Sequence, residues 1–163
     1  MKCRAYLDIE TTGLSRHYAE LTVIGIAIES GSKLKVVQLF EDNLTDTHLL
    51  EALEGVERIY TYNGSRFDLP FIKAKLHIDL KQTHKHIDLM YTCWKQNLYG
   101  GLKEVEKKLQ IKRKLQDIDG RMAVRLWYDY VNNYDKDALK RLLKYNREDT
   151  VNLRLLRRKL RVD

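Results

Sequence analysis

The run LTVIGIAI at residues 21–28 constrains the fold more than any other stretch of the chain. It is nearly continuous in β-branched and other apolar residues. A strand with one wet face alternates apolar with polar side chains, whereas a strand covered on both faces has no reason to. Residues 21–28 therefore predict a central strand of a sheet that other elements must cover.

The neighbouring segments build the sheet outward. Residues 3–9 (CRAYLDI) form a shorter strand that closes in acids. Residues 34–40 (LKVVQLF) follow Ser30-Gly31-Ser32, a hairpin-like turn that makes strands two and three antiparallel. Thr45 or Asp46 can cap a short helix running to Leu53 and closed by Gly55. A fourth strand is expected over 57–62 and a short fifth at 86–88. Helices are expected over 67–76, 88–97, 102–109, 120–132 and 136–161, with Pro70 tolerable only near a helix start. Asp88 reads as the N-cap of its helix. The final helix carries a stripe at the 3.6-residue period through Leu142, Leu143, Leu153, Leu156 and Leu160, interrupted by Asn146 and Thr150. Strands joined by helices predict an α/β fold with a mixed five-stranded sheet.

The 163 residues suit a single domain, 1–163. No run approaches the ~18 apolar residues of a membrane span. The opening Met1-Lys2-Cys3-Arg4 lacks the pattern of a signal peptide. These features lead us to expect a soluble cytoplasmic protein. Cys3 and Cys93 make neither a disulfide framework nor a zinc motif and read as buried, inert thiols. Tyr60, Tyr62, Trp94, Trp127, Tyr128, Tyr130 and Tyr134 read as core fillers. The net charge of +7 is uneven: residues 1–100 hold 12 Lys and Arg against 13 Asp and Glu, and residues 101–163 hold 18 against 10. A basic half beside a near-neutral one fits a polyanion footprint, and equally a solvated helical surface. Lys103, Arg113, Arg121 and Arg125 are the candidates for phosphate contacts.

The acids carry the chemistry. Asp8 and Glu10 are two apart on a strand, so they share a face and repel unless a cation lies between them. Asp68 follows Asn63-Gly64 in the first turn of a helix, where negative charge is favoured. Tyr145 and Asp149 are four apart on the last helix and share a face at the edge of its apolar stripe. Each alone reads better as ordinary chemistry: a strand end, a helix start, a helix face. Their order along the chain changes this.

DIETTGL, YNGSRFDLP and YNREDT resemble the three motifs of the DEDD 3′–5′ exonuclease superfamily, Tyr variety. The resemblance runs from residue 3 to about 160. It is closest to compact stand-alone exonuclease domains and implies a ribonuclease H-like fold with helices on both faces of the sheet. It also implies that Asp8, Glu10, Asp68 and Asp149 bind two divalent cations, Mg2+ or Mn2+. Tyr145 is implied to orient the attacking water. The superfamily's alternative, a His five residues before the last Asp, is absent, since Lys144 stands there. Thr11, Thr12 and Leu14 match contacts to the 3′-terminal nucleotide. Asn63 matches a residue that touches the strand or braces the site. Phe67 can stack a base or fill the core. The implied partner is a nucleic acid with a free 3′ end, single-stranded or frayed. Two alternatives stand beside this reading, an endonuclease of the same superfamily and a nucleic-acid-binding module without catalysis.

Overall fold

The computed structural model describes residues 3–163; Met1 and Lys2, the first half of the Met1–Arg4 run read above, lie outside them. The five strands are β1 (Cys3–Thr11), β2 (Leu21–Ser30), β3 (Lys33–Phe40), β4 (Val56–Thr61) and β5 (Lys85–Asp88), in the order β3-β2-β1-β4-β5. β1–β2 and β2–β3 are antiparallel, and β1–β4 and β4–β5 are parallel. The tight turn at residues 31–32 fixes the antiparallel β2–β3 pair, the nine-residue segment 12–20 returns the chain for β1–β2, and a helical crossover allows β4 and β5 to run parallel. The run at 21–28 lies inside the sheet, between β3 and β1.

Among the described residues there are seven α-helices. They are α1 (Asp46–Ala52), α2 (Asp68–Leu76), α3 (Leu80–Thr83), α4 (Leu89–Lys95), α5 (Leu102–Lys108), α6 (Gly120–Asn133) and α7 (Lys136–Lys159). Thr45 caps α1, Asp88 caps α4 and Asp135 caps α7 through side-chain oxygens that accept backbone N–H groups. Pro70 is the third residue of α2, where the N–H it lacks would have had no intrahelical partner. The four-residue α3 was not foreseen, because one turn is too short to show a period.

Strand alternation sorts the core into two faces. Ala5, Leu7 and Ile9 of β1 point to one side and pack with Leu49 of α1, Phe71 and Ile72 of α2, and Leu80 of α3. Tyr6 points to the other, with Tyr60, Leu89, Cys93, Val105, Leu153 and Leu156. Beside them Val23 packs with Leu126 of α6 and Leu142 and Tyr145 of α7. Helices thus cover both faces, and Asp8 and Glu10 continue the Tyr6 row toward α7.

Several expectations need correction. Cys3 is only half-buried, whereas Cys93 is fully buried and burial pushes its thiol up to about 11. Tyr60 fills the core, but Tyr128 and Tyr134 are 45% and 84% exposed. Both lie on or just past α6, a helix with only one covered face.

α7 is seated on the sheet by two devices. Glu29 of β2 is buried and accepts hydrogen bonds from Tyr6 Oη (2.6 Å), Arg154 Nε (2.7 Å) and Arg158 (2.8 Å). Burial pushes its carboxyl up, but these donors outweigh it and hold the group at about 2. Nearer the other end Gly25, paired with Asp8 in the β1–β2 ladder, lies directly under the helix. A Cβ there would come within 2.2 Å of Asn146 Oδ1 and 2.5 Å of Thr150 Oγ1. Gly25→Ala should therefore destabilise the protein by about 1–3 kcal/mol through overpacking. Thermal melting would check this; at roughly 2–4 °C per kcal/mol for a chain of this size, an unchanged midpoint would mean that α7 does not depend on that approach.

Candidate metal centre

The site forms where the Tyr6 row of β1 meets α7. Carboxylate oxygens of Asp8, Glu10 and Asp149 lie within 4.8 Å of one another. Asn146, one residue past Tyr145, donates through Nδ2 to both the backbone oxygen and Oδ2 of Asp8, at 3.2 Å each. Its own Oδ1 accepts from Gln38 of β3 at 2.9 Å. One amide thus fixes the helix against two strands at the level of the acids. Asp68 opens α2 and is buried; its Oδ2 accepts the Ile9 N–H at 3.1 Å. The structure therefore brings three of the four predicted acids into one cluster and sets the fourth behind them, turned to the strand backbone.

Burial dominates the electrostatics. It raises the carboxyls of Asp8 and Glu10 well above the usual range, and the charge of Asp149 adds to both. Burial also lifts Asp68 to about 7, against the pull of the Ile9 N–H. Asp149 is raised by burial and held back by Arg113. The Tyr145 phenol is driven up by burial and then by the charges of Asp149, Glu10 and Asp8, so it stays protonated. Glu10 Oε1 is buried without a hydrogen-bond donor. An orphaned anionic oxygen among mutually repelling carboxylates fits a hard divalent cation with oxygen ligands.

Two cations stand beside the acids, and neither is a free phosphate contact. Arg113 lies in the loop between α5 and α6 with its side chain buried. Its Nη1 donates to both oxygens of the fully buried Glu106 (2.9 and 2.7 Å), and its Nη2 donates to Asp149. Asn152 of α7 also donates to Glu106, at 3.3 Å. The surface role expected of Arg113 is thereby corrected, since its guanidinium is held inward by an acid that reads in sequence as an ordinary helix charge. Lys103 donates to the Ile118 carbonyl, and its Nζ lies 4.8 Å from the centre of the Tyr145 ring. Sequence reasoning missed Glu106 altogether. Asn146 left a trace, as a small polar interruption of the apolar stripe.

A cleft of about 580 Å³ opens over the acids. Asp8, Glu10, Tyr145 and Asp149 line it, with Thr11, Gly13, Leu14 and Phe67 among its other walls and Gly120, Arg121 and Val124 of α6. Leu14 is 89% exposed at its mouth. Phe67 serves both readings, since it lines the cleft and packs on Phe71 at 5.5 Å between ring centres. The Thr11 hydroxyl donates to the Gly13 carbonyl, and that of Thr12 accepts the Glu20 N–H, so both hydroxyls shape the loop. Thr12 and Asn63 do not line the cleft. Asn63 has a left-handed backbone, and its N–H and that of Ser65 donate to Asp88, which braces the loop before Asp68.

Three similarities bear on what this arrangement belongs to. An uncharacterized protein of Bacillus subtilis, YprB, is 28% identical over 91% of this chain, and the chain spans 39% of that relative's length. The family B DNA polymerase of Pyrobaculum calidifontis matches with a TM-score of 0.68 at 12% identity, over 96% of this chain and 24% of the polymerase. Brucella melitensis NrnC, solved with bound Mg2+ and bound to pGG, matches with a TM-score of 0.51 at 18% identity, over 97% of this chain and 83% of its own. The two structures share the fold. Among the described residues no helix is long and apolar enough to cross a membrane. The RNase_H superfamily model matches residues 5–161, and the chain belongs to that superfamily.

Proposed function

We propose that the protein is a metal-dependent 3′–5′ exonuclease of the DEDD type, Tyr variety. The observation that carries this reading is the meeting of Asp8, Glu10 and Asp149 oxygens within 4.8 Å at the floor of a cleft that Tyr145 also lines. The Mg2+ and pGG recorded with NrnC support it by analogy of fold.

Asp8, Glu10, Asp149 and Asp68 would hold two divalent cations, Mg2+ or Mn2+. When bound, such ions make water acidic and offset charge on a phosphoryl group. The chain's own residues do the rest. Tyr145, held protonated, hydrogen-bonds the attacking water and sets its approach without taking its proton. Asn146 keeps Asp8 in its rotamer. Leu14 at the cleft mouth wedges against the terminal base, Phe67 offers its ring beside it, and the backbone at Thr11 and Gly13, which line the cleft, meets the terminal sugar, while Thr12 holds that turn in place. Asn63 braces the loop that presents Asp68. The substrate is a strand with a free 3′ end, single-stranded or frayed.

The direct test is a 5′-labelled single-stranded oligonucleotide incubated with Mg2+ or Mn2+. A ladder shortening stepwise from the 3′ end is expected, lost in Asp8→Ala. Removing one positioned hydrogen-bonding group costs on the order of 10²–10³-fold, so Tyr145→Phe should retain measurable activity where Asp8→Ala has none. Internal cuts would make the protein an endonuclease, and uncut but bound strand would make it a binding module. A ladder that survives Asp8→Ala overturns the site assignment.

The raised carboxyls also make a prediction for the metal-free protein. Folded Asp8, Glu10 and Asp68 bind protons at higher pH than they do unfolded, Asp68 near 7 against an ordinary 3.8. The folded state then holds the extra protons, so this cluster's contribution to stability falls as pH rises from about 4 through 7. Asp8→Asn, which keeps an oxygen for Asn146, should raise the metal-free melting temperature at pH 8 and do so much less at pH 5. Added Mg2+ or Mn2+ should stabilise the wild type more at pH 8 than at pH 5, and the Asn variant less at both. An equal effect of Asp8→Asn at the two pH values would show that the carboxyls do not repel one another.

A further inference from the structure

A strand whose 3′ end lies in the cleft must leave it over the surface, and several basic tracts compete to receive it. The first is a groove lined by Arg16, Lys73 and Lys81. There Lys73 is paired with Asp79 at 3.0 Å, and Lys81 Nζ donates to the Ser65 carbonyl at 3.3 Å. The second is the exposed stripe Lys140, Lys144 and Arg147 of α7. Its residues stand on the side of the helix opposite Tyr145 and Asp149, because steps of four and seven residues stay on one face and a two-residue step crosses over. It turns away from the cleft.

The third tract is α6. Arg121, Arg125, Tyr128 and Asn132 are all exposed and recur at steps of four, three and four, so they form one face. Ala123 and Leu126 hold the opposite face in the core. Arg121 lines the cleft itself, and a smaller cavity of about 210 Å³ joins Arg121 to Arg125. Arg125 is about 6 Å and Asn132 about 16 Å further along the axis than Arg121, at 1.5 Å per residue. Among the described residues neither guanidinium group makes an ion pair or a hydrogen bond; the acids beside them are Asp119, whose carboxyl caps the helix and feels the charge of Arg121, and half-buried Asp129 at the edge of the stripe. Tyr128 is an exposed ring in line with two unpaired guanidinium groups. Cations that neutralise phosphates, with an aromatic face for a base, are the elements of a single-strand track.

We propose that the exposed face of α6, from Arg121 through Arg125 to Tyr128, is the track along which the nucleic-acid strand upstream of its 3′ end leaves the cleft. This rests on the exonuclease reading for its direction, but not for its binding. Arg121 and Arg125 neutralise successive phosphates and Tyr128 stacks a base, so affinity grows with strand length until the helix ends.

The test measures binding of fluorescent single-stranded 3-mers and 12-mers, as DNA and as RNA, with Ca2+ in place of the activating ion. Wild type should prefer the 12-mer. Arg125→Ser combined with Tyr128→Ala should lower the 12-mer to 3-mer affinity ratio about tenfold. Arg125→Ser alone should flatten the salt dependence of 12-mer binding by about 0.7 in log–log slope, one phosphate's worth on a single strand, and Arg125→Lys should restore it. All three changes lie on the surface, so matching melting curves keep the comparison clean. A ratio within twofold of wild type in the double variant, or no length preference in wild type, overturns the track. A wild type that binds through Arg125 yet cuts no strand with Mg2+ or Mn2+ supports the track and refutes the exonuclease reading.

Discussion

α7 rests on β2 at a distance that only a glycine allows, and the site depends on that contact. Gly25 leaves room for Asn146 and Thr150 to lie against the sheet beside Asp8. Asn146 then reaches Asp8 with one end of its amide and Gln38 with the other. Tyr145 and Asp149 flank Asn146 on the same helix, so the seating that places the amide also places them. A helix lifted by one methyl group would carry Asp149 away from Asp8 and Glu10. The precision of the acid cluster is thus a packing property, set in a close-packed interface that does not deform smoothly.

What the packing imposes is electrostatically costly. Like-charged carboxyls are gathered at the largely buried floor of a cleft, and their raised proton affinities record that cost. The rest of α7 offsets it. Leu153 and Leu156 are almost wholly buried, at about 1.5–3 kcal/mol each. Glu29 gathers three arginines of the same helix and Tyr6 into one buried network. The helix is therefore anchored toward its C-terminal end by apolar burial and a satisfied charge network, and strained near its middle by an unsatisfied one. Such concentration of strain at one place, held by over-determined surroundings, is the usual signature of a functional centre.

How much of this the sequence revealed follows from the range of each interaction. The apolar run at 21–28, the glycine turn after β2 and the period of α7 are local, and the sheet and its pairing types were legible from them. The acids were legible as motifs, and Asp88 as a cap, because a strand end and a helix start are local too. The hydroxyls of Thr11 and Thr12 turned inward to shape their loop, a detail that depends on the path of residues 13–20. Arg113 could not be placed. It meets Glu106 across seven residues and Asp149 across 36, and no spacing rule links an irregular loop to a buried glutamate. Tyr128 and Tyr134 read as core because helix positions there need core filling, and α6 proved to have an open face.

The Arg113–Glu106 pair explains how a cation can sit beside the acids without cancelling them. A lone arginine on Asp149 would remove one negative charge from the group expected to attract metal ions. Here Glu106, fully buried and bound to Arg113 through both oxygens, already balances that guanidinium. The pair is neutral as a unit, yet the second nitrogen still reaches Asp149. Asp149 thereby receives an orienting donor while the cluster keeps its net charge. Glu148 adds to the arrangement by accepting the N–H groups of Lys114 and Leu115, at 2.8 and 3.0 Å, which fixes the loop carrying Arg113 to α7 itself. The helix that supplies Asp149 thus also positions the arginine that orients it, so the two move together. A buried ion pair adds little net stability; its contribution here is to set the direction of one carboxylate in a cluster where the other carboxylates repel it and only Lys103 also attracts it.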